Sequence, residues 1–217
     1  MDDERLIEDG LAGRLSPDSE EFDRFVDITA RRPGGVAGAA HYRNPEEHEA
    51  SFALALGALG LTPSDRYLEL GIGGGQLLER ALETVPSAVG IDHSPDMLAL
   101  TRERNAEAVA AGRLRLLEGD ANDLPLPDGE FTSIACVNAF FFIERPAEFL
   151  GEVRRVLAPD GRFVLVTAVR DAAWNGPWSA ALRTYDPETL RAMLLDAGFA
   201  EATVDESSGQ QVAVAEA

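Results

Sequence analysis

The sequence is poor in cysteine and in basic residues, and it has no long apolar run. Its single cysteine, Cys136, excludes an intrachain disulfide, and the apolar neighbours of Cys136 favour a buried, inert thiol over a nucleophile. The sequence has only 19 Lys and Arg but 38 Asp and Glu. Because phosphate groups are bound by clustered basic residues, this excess of acidic residues argues against nucleic acid and anionic membranes as partners. No apolar stretch approaches the roughly 18–20 residues of a membrane span, and the acidic N-terminus shows no signal peptide. We therefore expect a soluble, cytoplasmic protein.

The length and composition are those of one large globular domain. The chain has 217 residues, of which 45% are hydrophobic and 26% charged. Residues 1–18 are polar and acidic, and we expect them to be frayed, whereas apolar spacing at residues 22–26 indicates a short amphipathic helix. Residues 33–40 are rich in glycine and small side chains and are expected to form a flexible loop. We divide the chain into an N-terminal helical segment and candidate lid, residues 1–43, and a main domain, residues 44–217.

Strand-like and helix-like segments alternate from residue 66 onward. The strands are predicted at residues 66–70, 88–91, 114–117, 131–137, 162–167, 199–204 and 211–215. Alternation with apolar strands indicates a mostly parallel sheet covered on both faces, an α/β, Rossmann-like three-layer sandwich of seven strands. The last two strands follow each other as a hairpin, which predicts an antiparallel strand at the C-terminal edge.

Capping residues mark three predicted helix starts. Asn44 is a good N-cap, followed by Pro45 in the first turn and Glu47 at the capping-box position. Ser94 and Asp186 are each followed by proline and predict two further starts.

A glycine loop and an acidic residue follow the first two strands of the predicted sheet. Gly71, Gly73 and Gly75 occupy positions one, three and five of the loop, and position six is Gln76. The dinucleotide fingerprint has glycine at positions one, three and six, so this spacing counts against a pyrophosphate ligand. Asp92 ends the second strand, where a carboxylate can accept both ribose hydroxyls and disfavours a 2′-phosphate.

Polar groups also follow the third and fourth strands. Asp120 can accept from an adenine amino group, and the backbone N–H of Ala121 can donate to the ring. Asn138 ends the fourth strand. Because ligands bind beyond the carboxyl ends of parallel strands, we expect these groups to share one cleft.

Four segments in order resemble the class I S-adenosylmethionine-dependent methyltransferases. They are residues 69–75, 90–94, 118–121 and 157–161, and the resemblance extends over roughly residues 45–205. It is strongest to the small-molecule branch related to the ubiquinone-biosynthesis C-methyltransferases. It implies S-adenosylmethionine as cofactor and a small-molecule methyl acceptor.

The resemblance assigns the methionine and ribose portions of the cofactor to particular residues. It implies that Glu69, Gly71 and Gly73 surround the methionine portion and that Asn138 faces it from the other side. It also implies that Asp92 holds the ribose diol.

The adenine contacts follow from the same resemblance. It implies that Asp120 and Ala121 read the adenine and that His93 or Met97 lines its pocket. The fourth strand ends in Val137–Phe140 and lacks an Asn/Asp-Pro-Pro-Tyr segment, which removes the amino methyltransferases that use that signature.

The acceptor pocket is expected to be roofed by segments outside the sheet. His41 and Tyr42 follow the glycine-rich loop, where they either close over the cofactor or are solvated polar residues of a loop. They are the catalytic candidates, and Tyr42 is also a candidate cofactor contact. Trp174 and Trp178 lie in one short insertion, where they form an aromatic acceptor wall or simply pack the insertion on the domain. Phe140 is a further candidate for the acceptor wall, with a place in the core as the alternative.

Three functions fit these residues. The first is methyl transfer from S-adenosylmethionine to a small molecule, in which the protein mainly supplies alignment and needs a base only if the acceptor loses a proton. The others are S-adenosylmethionine binding without transfer and a nucleotide-linked oxidoreductase, which the glycine spacing opposes. No metal site is predicted, and a monomer or homodimer is expected.

Overall fold

A computed structural model describes residues 2–35, 42–44, 46–169 and 173–217. The strands are β1 (Tyr67–Leu70), β2 (Ala88–Asp92), β3 (Leu114–Glu118), β4 (Phe131–Val137), β5 (Leu157–Ala168), β6 (Glu201–Ser207) and β7 (Gln210–Glu216). The α-helices are α1 (Asp3–Leu11), α2 (Glu20–Val26), α3 (Glu49–Leu59), α4 (Gln76–Ala81), α5 (Pro95–Arg104), α6 (Ala106–Ala110), α7 (Pro146–Val156) and α8 (Pro187–Asp196).

The seven strands form one sheet in the order β3-β2-β1-β4-β5-β7-β6. The first five strands in this order run parallel, and β7 runs antiparallel to both of its neighbours. The predicted seven-stranded, mostly parallel sheet with an antiparallel strand at its C-terminal end is confirmed. The antiparallel strand β7 inserts between β5 and the outermost strand β6.

Helices cover both faces of the sheet, as the apolar strands predicted. One face packs against α7 and α8, with core residues Phe149, Leu150, Val153, Leu190 and Leu194. The other packs against α3 and α4, with core residues Phe52, Ala55, Leu77 and Leu78. The strand side chains are therefore buried on two sides, which is why four consecutive residues of β1 are buried. Within the described residues, no helix combines the length and hydrophobicity needed to cross a bilayer.

The expectation that residues 1–18 fray is wrong. Helix α1 begins after Asp2, whose side chain accepts from the Arg5 N–H over 2.9 Å. Leu6 is fully buried in a cluster with Phe22, Phe25 and Val26. Sequence spacing could not show this burial because the partners of Leu6 come from a different helix.

Two of the three predicted caps are confirmed. The side chains of Ser94 and Asp186 each accept from a backbone N–H three residues further on. Helix α3 instead begins at Glu49, after a 3-10 turn over Glu46–His48, and not at Asn44. Pro45 and the Glu47 side chain lie outside the described residues. The predicted N-cap, Asn44, therefore lies four residues before the observed N-cap, His48.

Candidate active site

A cavity of about 680 Å³ opens at the carboxyl ends of the parallel strands. Its size is that of a small-molecule site. Ten of the predicted site residues line it: Tyr42, Glu69, Gly71, Gly73, Asp92, His93, Met97, Asp120, Ala121 and Asn138. Residues far apart in the sequence meet there because parallel strands end at the same edge of the sheet.

The glycine loop has a conformation that explains its spacing. Gly71, Gly73 and Gly75 all have positive φ, at 71°, 50° and 75°. A Cβ on Gly71 would lie 2.6 Å from the Cβ of Ala139, and one on Gly73 would lie 2.9 Å from the Tyr42 ring. Glycine at positions one, three and five therefore meets both the backbone and the steric demand.

Helix α5 and the residue that directly follows it fix this loop through three side chains that were not predicted from the sequence. Thr101, Arg104 and Asn105 donate to the carbonyl oxygens of loop residues 73–75 over 2.9, 2.8 and 3.2 Å, respectively. Their spacing of three and four residues on a helix after a recognised cap is the signal that could have found them.

Asp92 stabilises the glycine loop and still has free hydrogen-bond acceptor positions for a ligand. Its carboxylate oxygens accept from the Gly73 N–H over 3.1 Å and from the Ser94 N–H over 2.9 Å. A carboxylate has about four acceptor positions, so about two remain for the hydroxyls of a ribose. Burial raises the pKa of Asp92, whereas the two N–H bonds and His93 lower it.

Glu69 is a buried carboxyl group on the cavity wall. Burial raises its pKa to about 8, the nearby Asp92 charge adds to this, and a bond from the Tyr67 hydroxyl acts in the opposite direction. At neutral pH the carboxyl is therefore mostly protonated in the ligand-free protein. A cation bound beside Glu69 would favour its ionised form.

Asp120 lies at the cavity mouth and already has partners. One carboxylate oxygen accepts from the backbone N–H of Asn122 over 2.8 Å, and the other is 3.3 Å from an Arg145 nitrogen. The Asn122 N–H bond and the charge of Arg145 lower the pKa of Asp120. An adenine amino group would therefore share the Asp120 carboxylate with Arg145.

Asn138 directly follows β4 and has a left-handed backbone conformation. Its φ of 54° is rare for a residue with a side chain. Its side-chain N–H donates to the Ser51 hydroxyl oxygen over 2.9 Å. The buried amide oxygen of Asn138 has no hydrogen-bond partner within the described part of the chain. A donor group of a ligand or of a water molecule would satisfy this oxygen.

Aromatic side chains form another wall of the cavity. Tyr42 meets His48 edge-on, with ring centroids 6.0 Å apart, and His48 meets Phe52 in the same way at 5.9 Å. Phe142 also lines the cavity. The sequence predicted Phe140 as the candidate for the acceptor wall, and Phe140 lies two residues earlier in the same short turn.

Two predicted acceptor contacts lie away from the cavity in this structure. Phe140 is fully buried in the core, with its ring centroid 5.6 Å from that of Phe149. Trp178 stacks on Phe25 at 5.9 Å, and its indole N–H donates to the Thr29 hydroxyl oxygen over 2.9 Å. Phe140 therefore lies in the core and Trp178 packs its segment against the N-terminal helices, which are the alternatives to an acceptor wall.

The remaining candidates cannot be placed. His41 and the Trp174 side chain lie outside the described residues, and their roles stay predictions. Among the described residues, no group of three or more His, Cys, Asp and Glu side chains could hold a metal ion.

Residues 68–165 match the family described as a methyltransferase domain. This match covers slightly less than half of the chain, and the fold is that of solved S-adenosylmethionine-dependent methyltransferases, so the predicted resemblance is confirmed. S-adenosylmethionine is the cofactor that this family and fold imply.

Three comparisons illustrate the similarity. A demethylmenaquinone methyltransferase of Thermus thermophilus is 43% identical over 103 residues, 46% of this chain and 46% of that protein. The ubiquinone/menaquinone biosynthesis C-methyltransferase UbiE of Ectopseudomonas mendocina is 25% identical over 186 residues, 71% of this chain and 73% of that protein. A crystal structure of a SAM-dependent methyltransferase from Aquifex aeolicus has a TM-score of 0.70 at 21% identity and covers 84% of this chain and 98% of that chain.

The chain spans about half the length of curated relatives such as the Thermus protein. The comparisons therefore describe a shared domain and fold.

Proposed function

We propose that this protein transfers the methyl group of S-adenosylmethionine to a small-molecule acceptor. One observation carries the proposal: a left-handed glycine loop and the carboxyl groups of Glu69, Asp92 and Asp120 border a single cavity. Consecutive strand ends thus offer acceptors suited to an ammonium, a ribose diol and an adenine amino group. The methyltransferase-domain match over residues 68–165 supports the same function.

The residues present fit this cofactor. Asp92 has acceptor positions left for a diol, and the Asn138 amide oxygen is buried without a partner in the described residues. We assign Asp92 to the ribose, Asp120 and Ala121 to the adenine, and Glu69 and Asn138 to the methionine portion. When bound, the cofactor supplies a methyl group on a positively charged sulfur, which a nucleophile can displace directly. The side chains of this protein therefore have to align two reactants and exclude water.

The aromatic wall favours a flat, apolar acceptor. Phe52 and Phe142 line the cavity, and aromatic surfaces pack well against planar rings. The relatives named as demethylmenaquinone methyltransferases suggest quinol-type rings as the first acceptors to test. A monomeric or homodimeric state and a cytoplasmic location stay predictions.

We further propose that residues 33–43 close over the cavity. The Ser94 hydroxyl donates to the Pro33 carbonyl oxygen over 2.5 Å, and the Asp96 carboxylate accepts from the Gly35 N–H over 2.7 Å. At the other end, a guanidinium nitrogen of Arg104 donates to the Arg43 carbonyl oxygen. Both ends of this segment are thus attached to α5, the helix that holds the glycine loop. Tyr42 is the candidate contact with the ligands.

An acceptor screen tests the proposed activity. Purified protein, S-adenosylmethionine and a panel of quinols, phenols and amines are incubated, and S-adenosylhomocysteine is quantified by mass spectrometry. We expect product with at least one planar acceptor and a large loss in Asp92→Asn. The exposed acid Asp205 lies on β6, and Asp205→Asn is the matched control that keeps activity. Binding of S-adenosylmethionine without product from any acceptor would contradict methyl transfer.

A further inference from the structure

A buried polar cluster of Ser51, Asn138 and Gln210 lies beneath the cavity wall. The side-chain N–H groups of Asn138 and Gln210 both donate to the Ser51 hydroxyl oxygen, over 2.9 and 2.6 Å. Ser51 is fully buried and Gln210 is 3% exposed. Of the three side chains, Asn138 lines the cavity.

In the observed orientation, both amides turn their N–H groups toward Ser51. A serine hydroxyl oxygen has two acceptor positions, and the two amide N–H groups occupy them. Each amide oxygen therefore points away from Ser51. Within the described residues, the oxygens of Asn138 and Gln210 are both buried without a hydrogen-bond partner. Leaving such an oxygen unpaired costs free energy, unless a ligand or water supplies the donor.

Geometry places Asn138 beside the loop that is expected to hold the methionine portion. The neighbouring Ala139 has its Cβ so close to Gly71 that no side chain fits there. Glu69 lies on the adjacent strand β1, which pairs with β4 through Glu69 and Ala135. Glu69 and Asn138 both line the cavity, so an ammonium group bound there would have a carboxyl group and a neutral amide oxygen as available acceptors.

We propose that Ser51 and Gln210 are positioning residues, which hold the Asn138 amide so that its oxygen receives the ammonium group of the cofactor. The proposal rests on the proposed function. Neither residue lies in the four short segments that carry the resemblance to methyltransferases, and both act through Asn138 without touching the ligand. Asn138 has a left-handed φ of 54°, a conformation that asparagine adopts more readily than most residues, and the bond to Ser51 holds its side chain in one orientation.

Binding of two probes tests the positioning role. S-adenosylhomocysteine carries the ammonium, and 5′-methylthioadenosine shares its nucleoside and sulfur but lacks the amino-acid portion. We expect Ser51→Ala and Gln210→Leu to weaken binding of S-adenosylhomocysteine about tenfold and to leave binding of methylthioadenosine unchanged. Calorimetry measures both affinities for each variant, and thermal unfolding shows that the variant is folded.

The neighbouring glutamine supplies a matched control. Gln211 is 1% exposed, yet it faces the other side of the sheet and donates to the Tyr185 carbonyl oxygen over 2.8 Å. Gln211→Leu removes an equally buried amide and should leave the ratio of the two affinities unchanged. A change equal to that of Gln210→Leu would overturn the proposal.

Asn138→Gly completes the test. Glycine accepts the left-handed φ without strain, so this variant removes the amide and keeps the fold. We expect it to weaken S-adenosylhomocysteine binding, and we expect Ser51→Ala to add nothing in that background. Additive losses, or equal losses for both probes, would show a merely structural role. Absence of S-adenosylhomocysteine binding by the wild-type protein would instead contradict the proposed function.

Discussion

The Tyr67 hydroxyl donates to a carboxyl oxygen of Glu69 over 3.2 Å, and both side chains are buried in β1. Burial dominates this pair and raises the pKa of Glu69 to about 8. A bound ammonium or sulfonium would lower that pKa, because an opposite charge favours the ionised carboxylate. Cofactor binding should therefore release a proton at neutral pH. The affinity for S-adenosylmethionine should rise with pH up to about 8 and level off above it.

Glu69→Gln isolates this effect, because an amide retains a hydrogen bond to Tyr67 but does not titrate. Calorimetry at pH 7 in two buffers of different ionisation enthalpy measures the protons released. We expect release by the wild-type protein and none linked to residue 69 in Glu69→Gln. Equal proton release by both proteins would rule out Glu69 as the coupled group.

Asp92→Ala should weaken cofactor binding. The loss includes a charge-assisted hydrogen bond, of order 1.5–3 kcal/mol, which corresponds to roughly ten- to a hundredfold in affinity. Because Asp92 also accepts from the Gly73 and Ser94 N–H groups, the variant should unfold at a lower temperature as well. Unchanged affinity in a folded Asp92→Ala protein would remove Asp92 from the site.

Residues 33–43 should gain protection from hydrogen exchange when the cofactor binds. Glycines make this segment costly to order, and a reaction cycle needs some segment to open for the acceptor. Exchange with and without S-adenosylhomocysteine, followed by mass spectrometry, measures the change, with β6 as an internal control. If the glycine loop is protected and residues 33–43 are not, residues 170–184 become the better candidate for the lid.

Trp178→Ala should destabilise the N-terminal helices and leave cofactor affinity unchanged. The substitution removes the stacking on Phe25 and the bond to Thr29, and we expect a loss of roughly 2–3 kcal/mol, below that for a fully buried tryptophan. Denaturant unfolding measures the stability, and Trp178→Phe, which keeps a ring on Phe25, should lose less. A selective loss of acceptor affinity in a stable Trp178→Ala protein would contradict this and indicate that Trp178 contacts the acceptor.

The sequence predicts what depends on local spacing. The glycine loop and Asp92 were found because strand ends, glycine positions and caps are short-range patterns. Thr101, Arg104 and Asn105 were missed although their helical spacing is readable, because their targets lie about 30 residues earlier in the chain.

Longer-range contacts leave no comparable signal. Ser51 and Gln210 are 159 residues apart and meet only because β7 inserts next to β5. Leu6 looks like an isolated apolar residue in an acidic segment until α2 supplies its partners. The sequence also could not tell which aromatic residue lines the cavity. Phe140 and Phe142 share a turn, but in the structure Phe140 is buried in the core and Phe142 lines the cavity.

We expect the glycine loop and the acidic strand ends to select S-adenosylmethionine over a dinucleotide. Titration calorimetry of the purified protein with S-adenosylhomocysteine and with NAD tests it most directly. We expect saturable binding of S-adenosylhomocysteine, weakened in Asp92→Ala, and no detectable binding of NAD. Binding of NAD without binding of S-adenosylhomocysteine would contradict it.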